Sequence, residues 1–144
     1  MNQTTPHSSF KKNLWTYAYN ISKIICIWIL LQTLVFKFWL MPDALAESQE
    51  IFRKVSSFLF ATDGYEMQLR IWSWILELIV SVLLMFKRTT FLWAIWVCGL
   101  MAWAIWLHTT VLGYDQLFGM AVAVFLCGLY IVWYEIKEYK KQSE

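Results

Sequence analysis

Hydrophobic residues make up 60% of this 144-residue chain and charged residues only 15%, with a mean hydropathy of +0.51. A soluble domain carries about 45–50% apolar and about 25% charged residues, so the composition excludes an ordinary soluble fold and points to lipid as the solvent. A formal charge of +2 is too small to draw the chain to nucleic acid.

In chain order, residues 1–20 are polar and read as a tail. The first apolar run covers about residues 21–41 and lacks an Ala-x-Ala cleavage pattern after it, so it reads as a retained membrane span and not a signal peptide. Three more runs of spanning length follow at about residues 69–86, 91–107 and 117–134, with a second polar tail over 137–144. Backbone groups in hydrocarbon must be paired internally, so each span is predicted to be an α-helix. The short links Lys87 to Thr90 and His108 to Gln116, the latter with Gly113 as breaker, force antiparallel neighbours. The predicted fold is therefore all-α: an up-down integral-membrane four-helix bundle over residues 21–136.

Between the first two spans, Leu45, Ile51, Phe52, Val55, Phe58 and Leu59 recur at helical spacing among Glu47, Glu50, Arg53 and Lys54. This predicts an amphipathic interfacial helix over about residues 43–59, opened by Pro42 and Asp43 and stopped by Thr62, Asp63 and Gly64. Lys11, Lys12, Lys23, Lys87, Arg88, Lys137, Lys140 and Lys141 would share the side of the termini, against Lys37, Arg53, Lys54 and Arg70 on the other. Basic residues near span ends stay in the cytoplasm, so both termini are expected there.

Polar residues within the spans are the candidate site. A carboxylate at Glu77, about 12 Å below the surface, costs a few kcal/mol. It is either protonated or turned inward towards a cation or donor. Lys37 and His108, both at outward ends of spans, would complete a Lys37/Glu77/His108 cluster; the alternatives are a snorkelling Lys37, a helix-capping His108, and Arg70 as the partner of Glu77. Gln32, Thr33 and Ser81 are expected to bond between helices, and Gly119 and Gly128 to allow close packing. Trp93, Trp96, Trp103 and Trp106 lie along one side of the third span, for packing and lipid contact or as a platform for a quinone-like ring. Cys26, Cys98 and Cys127 are widely spaced and read as plain buried thiols, with a thiol relay the alternative. No catalytic triad, phosphate loop or metal-ligand spacing is present in the sequence.

The segments FKFWLMPDALAESQEIFRKV at 36–55 and ILELIVSVLLMFKRTTFLWAIWVCGLMAWAIWLHTTVLGYDQLFGMAVAV at 75–124 resemble the DoxX-like family of small membrane proteins, over about residues 24–134. The motifs that carry the resemblance are the turn His108, Thr109, Leu112 and Gly113, the glutamate Glu77, and Lys37 closing the first span. The resemblance implies a four-helix protein of the bacterial inner membrane, with no catalytic activity of its own. Its implied role is accessory, through a membrane protein partner or a homo-oligomer, in a respiratory or redox-stress setting. The alternative is a lipid- or quinone-binding protein using the Glu/His/Lys site. Leu34 and Trp103 stand where the family often has glycine, and their bulk argues against a small-ligand pocket.

Overall fold

The computed structural model describes the backbone of residues 6–38 and 42–143, with side chains over 13–34, 43 and 45–141. All its regular structure is helical: α1 (Pro6–Phe38), α2 (Pro42–Phe60), α3 (Glu66–Met85), α4 (Thr90–Leu107), a π turn (His108–Leu112) and α5 (Gln116–Ser143). Among the described residues, four stretches are long and apolar enough to cross a membrane: Asn13–Leu34, Glu66–Met85, Thr90–Leu112 and Gln116–Lys141. Between 11% and 28% of each is buried within the protein, so most of their apolar surface faces outward, as a bilayer requires. Trp28, Trp72, Ile79, Met85, Trp96, Leu126 and Trp133 are among the large side chains on that outer surface.

Two boundaries differ from the sequence reading. Helix α1 begins at Pro6, so the polar segment expected over 1–20 is helical from there, and the apolar stretch starts at Asn13. Leu14, Trp15, Tyr17 and Tyr19 supply apolar surface that alternates with polar residues, which a search for uninterrupted apolar runs passes over. Helix α5 runs to Ser143, through the expected tail, because nothing after Tyr134 breaks it and Lys141 Nζ binds Glu138 one turn earlier at 2.7 Å.

Helix α1 packs against α3 and α5, and α4 also packs against α3 and α5, which closes a ring of four. Leu30, Val80, Leu84, Ala94, Val97, Val124 and Ile131 fill the ring's centre. Helix α2 packs on α1, α3 and the π turn, burying Ser48, Val55 and Ser56, with Leu45, Ile51, Phe52 and Leu59 half-buried on the same side. Its outer side carries Glu50 and Lys54, paired at 2.8 Å. The ammonium of Lys54 holds the Glu50 carboxyl below its usual range.

The ends of the helices are tied off by hydroxyl groups. Thr89 donates to the Leu83 carbonyl at 2.8 Å and Thr90 to that of Phe86 at 2.9 Å, so the tight Lys87–Arg88 link leaves the last carbonyls of α3 satisfied. Ala61, at φ 55°, ends α2 in the left-handed region, and Ser56 donates to the Thr62 carbonyl at 2.6 Å beneath that turn.

Gly128 is the close-packing glycine of α5: a Cβ there would stand 2.9 Å from Cys98 Sγ on α4, whereas one at Gly119 would meet nothing within 4 Å. Gly128→Ala should lower the unfolding temperature in detergent, at a cost of about 1–3 kcal/mol. Gly119→Ala should leave it unchanged or raised, since alanine is the better helix former by about 1 kcal/mol. Adding Cys98→Ala to Gly128→Ala should recover most of the loss; no recovery would place the strain elsewhere.

Candidate functional site

A cavity of about 390 Å³ opens in the half of the bundle on which α2 packs. Every helix contributes to its wall: Leu30 and Thr33 from α1, Phe52 and Val55 from α2, Trp72 and Glu77 from α3, Met101 and Trp103 from α4, and Ala121 and Val124 from α5, with His108 and Leu112 from the π turn. The lining is apolar apart from Thr33, Ser73, Glu77, His108 and the indole N–H groups of Trp72 and Trp103. Trp103, whose bulk argued against a pocket, is part of its wall. Its side chain is half outside the protein, at 49% exposure, so it borders the space instead of filling it.

Glu77 sits about 16 Å along α3 from Glu66. The Thr33 hydroxyl lies 2.9 Å from Glu77 Oε2 and 2.7 Å from the Leu30 carbonyl, which ties α1 to α3. Ser73 Oγ lies 3.4 Å from Glu77 Oε1, one turn back on the same helix. Thr33 thus makes the interhelical bond expected of it. Ser81 does not: it donates to the Glu77 carbonyl of its own helix at 2.7 Å, a back-bond to the preceding turn. Arg70 pairs with Glu66 at 3.0 Å. Gln32 lines a smaller hollow of about 200 Å³, shared with Glu47, Asp115 and Gln116, and Thr33, Leu117 and Met120 border both spaces.

His108 is buried, and its position depends on the turn that follows it. Helix α4 widens into i→i+5 geometry over His108–Leu112. The Trp106 carbonyl near its end accepts from two hydroxyls, Thr109 Oγ1 at 2.9 Å and Thr110 Oγ1 at 2.8 Å. Gly113 closes the turn at φ 90°, ψ 179°, a region open essentially to glycine alone, with its N–H 2.8 Å from the His108 carbonyl. Leu112 faces the cavity. His108 Nδ1 is 3.2 Å from the Gly113 carbonyl and 3.2 Å from Asp115 Oδ1. The ring is therefore held from behind by its own turn, where the sequence offered a place in the polar cluster or a helix cap. Asp115 also accepts the Phe118 N–H at 2.8 Å, capping α5.

Glu77 and His108 thus line one cavity, while the side chain of Lys37, the third member of the expected cluster, lies outside the described residues. Sequence reasoning missed Asp115, which looks like loop filler until the π turn folds it back.

It also missed two convergences at and below the middle of the bundle. The Cys26 thiol lies near those of Cys127 and Cys98, and 3.7 Å from the Val124 carbonyl. The three belong to different helices, so linear spacing gave no sign of it. At the end opposite the cavity, Tyr19 donates to Glu135 and stacks on Tyr134 at 4.5 Å. Lys23 donates to Thr90 at 3.1 Å and stands over the Tyr19 ring.

Gly113→Ala should cost about 1–3 kcal/mol through backbone strain and release His108 from its carbonyl partner. Thermal unfolding in detergent should show the loss, and Gly113→Asn one of similar size, because asparagine's tolerance is for the αL region and not for positive φ with an extended ψ. Equal stability of the alanine variant and the parent would mean that the turn adopts another conformation. Set against known proteins, the chain matches no family model, no curated protein and no solved structure.

Proposed function

We propose that this chain is a DoxX-like protein of the bacterial inner membrane that holds a bilayer-borne amphiphile, a lipid or an isoprenoid quinone, with its polar head between Glu77 and His108. The observation that carries this reading is the cavity. Its size of about 390 Å³ lies in the range of small-molecule sites, about 300–1,000 Å³, and its few polar groups converge from separate helices in otherwise apolar walls, as such sites do. An accessory role through partners, which the resemblance implies, requires no such space. Trp72, Leu76 and Trp103 line the cavity and are also exposed on the bundle's outer surface, so an occupant would arrive sideways from the acyl chains.

The remaining topology belongs to the same proposal. The four spans run up and down, α2 lies at the outer interface as an amphipathic helix, and both termini are cytoplasmic by the distribution of basic residues. Alkaline phosphatase fused after Glu144 should be inactive and a green fluorescent fusion there bright. The opposite pattern would invert the topology.

Purification in mild detergent, solvent extraction and mass spectrometry test the binding. The parent protein should retain one amphiphile in near-stoichiometric amount. Ala121→Phe, which places a ring in the cavity, should fold with similar or higher thermal stability and lose that species. Identical lipid content in the two proteins would reduce the retained material to a non-specific annulus and sink the proposal.

A further inference from the structure

The geometry behind His108 points to the chemistry of the occupant's head. We infer that His108 presents Nε2 to the cavity as a hydrogen-bond acceptor, with Asp115 as a positioning residue, so that the site selects a neutral long-chain alcohol or phenol, which narrows the occupant named above to a hydroxyl-headed lipid or the reduced, phenolic form of a quinone. This rests on the cavity being a binding site, as proposed above.

Two groups face Nδ1, and both accept hydrogen bonds: the Gly113 carbonyl and the Asp115 carboxylate, each at 3.2 Å. A carbonyl has no proton to give, and an ionised carboxylate has none either, so Nδ1 carries the ring's N–H. A neutral imidazole has one N–H only, which leaves Nε2 with its lone pair. Among the described residues Nε2 has no hydrogen-bond partner, while His108 lines the cavity.

The ring cannot readily turn over to exchange the two nitrogens. Gly113 is held by the bond from its N–H to the His108 carbonyl at 2.8 Å, Asp115 by the Phe118 N–H at 2.8 Å, and the Phe118 ring meets the imidazole edge-on at 6.1 Å.

A lone pair directed into an apolar space asks for a donor. Glu77, on the same wall surface, adds acceptor oxygens, and Asp115 and Glu47 line the adjoining hollow. A carboxylate or phosphate head would meet this acidic surround unfavourably. A hydroxyl meets it with the proton it has to offer, and an ether or ester of the same shape does not. Burial makes that difference large, because an acceptor left without a donor loses its water and gains nothing in return.

The chain has two histidines, so His7→Gln leaves His108 as the sole signal in protein labelled with ¹⁵N-histidine. In detergent at about pH 8, the spectrum should show a ring protonated at Nδ1 alone. Asp115→Ala should admit the Nε2–H form, and Asp115→Asn, whose amide oxygen still accepts, should restore the parent pattern. A parent protonated at Nε2, whether there alone or on both nitrogens, overturns the inference, and an Asp115→Ala spectrum identical to the parent's removes Asp115 from it.

Titration with farnesol and with farnesyl methyl ether then tests the selection. Farnesol should move the Nε2 resonance, and the ether should bind at least about tenfold more weakly, the worth of one hydrogen bond to a buried acceptor. Equal binding of the two overturns the hydroxyl preference while the binding reading stands. If neither binds although the tautomer is as expected, the binding reading falls and the preference falls with it.

Discussion

Every polar group placed among acyl chains has to find its partner within the protein, and the small side chains of this structure are disposed accordingly. Threonine hydroxyls take up the carbonyls left at the end of α3 and around the π turn. Ser81 back-bonds to its own helix, and Thr33 supplies Glu77 from α1. Each hydroxyl contributes little on its own, about 0.6 kcal/mol for an average interhelical bond in a membrane. Their effect is positional: the Thr33 bond joins α1 to α3 at Glu77, and the threonines that bind the Trp106 carbonyl tie off the end of α4 beside His108.

The same constraint divides the molecule along its length. The cavity with Glu77 and His108 occupies one half, and the Tyr19, Lys23, Thr90 and Glu135 contacts occupy the far end. Cys26, Leu30, Val80, Leu84, Val97 and Val124 are buried between them. The three cysteines meet at this apolar level with no base or cation among their described contacts to draw off a proton. That setting favours inert thiols over a relay, because the thiolate is the reactive form.

What was legible in the sequence was whatever depends on composition over a long window. Four apolar stretches, the break at Gly113 and the tight Lys87 to Thr90 link follow from hydropathy and turn chemistry alone. The start of α1 was not legible, because Tyr17 and Tyr19 present apolar surface in a polar neighbourhood. Thr33 bonds between helices as the sequence suggested and Ser81 does not, although both are hydroxyl residues deep in a span. What separates them is whether the neighbouring helix has a polar group at that height, which is a property of the pair. Glu77 and His108 stood out because ionisable groups in a span demand an account. Asp115 did not, since an aspartate in a loop costs nothing until a particular turn brings it beneath a ring.

That turn, His108–Leu112, is in effect an α-helix with one residue too many. Seen as an insertion, it rotates everything after it by about 100° relative to an unbroken α4, and a single-residue deletion within it would be absorbed as ordinary helix with the membrane span intact. The chain would still fold as four helices, yet His108 and Gly113 would lose their ring-to-carbonyl register. A change that insertion-tolerant loops normally accept without effect would here separate the bundle's architecture from its polar site, so one residue within a five-residue turn decides whether the same fold carries the site.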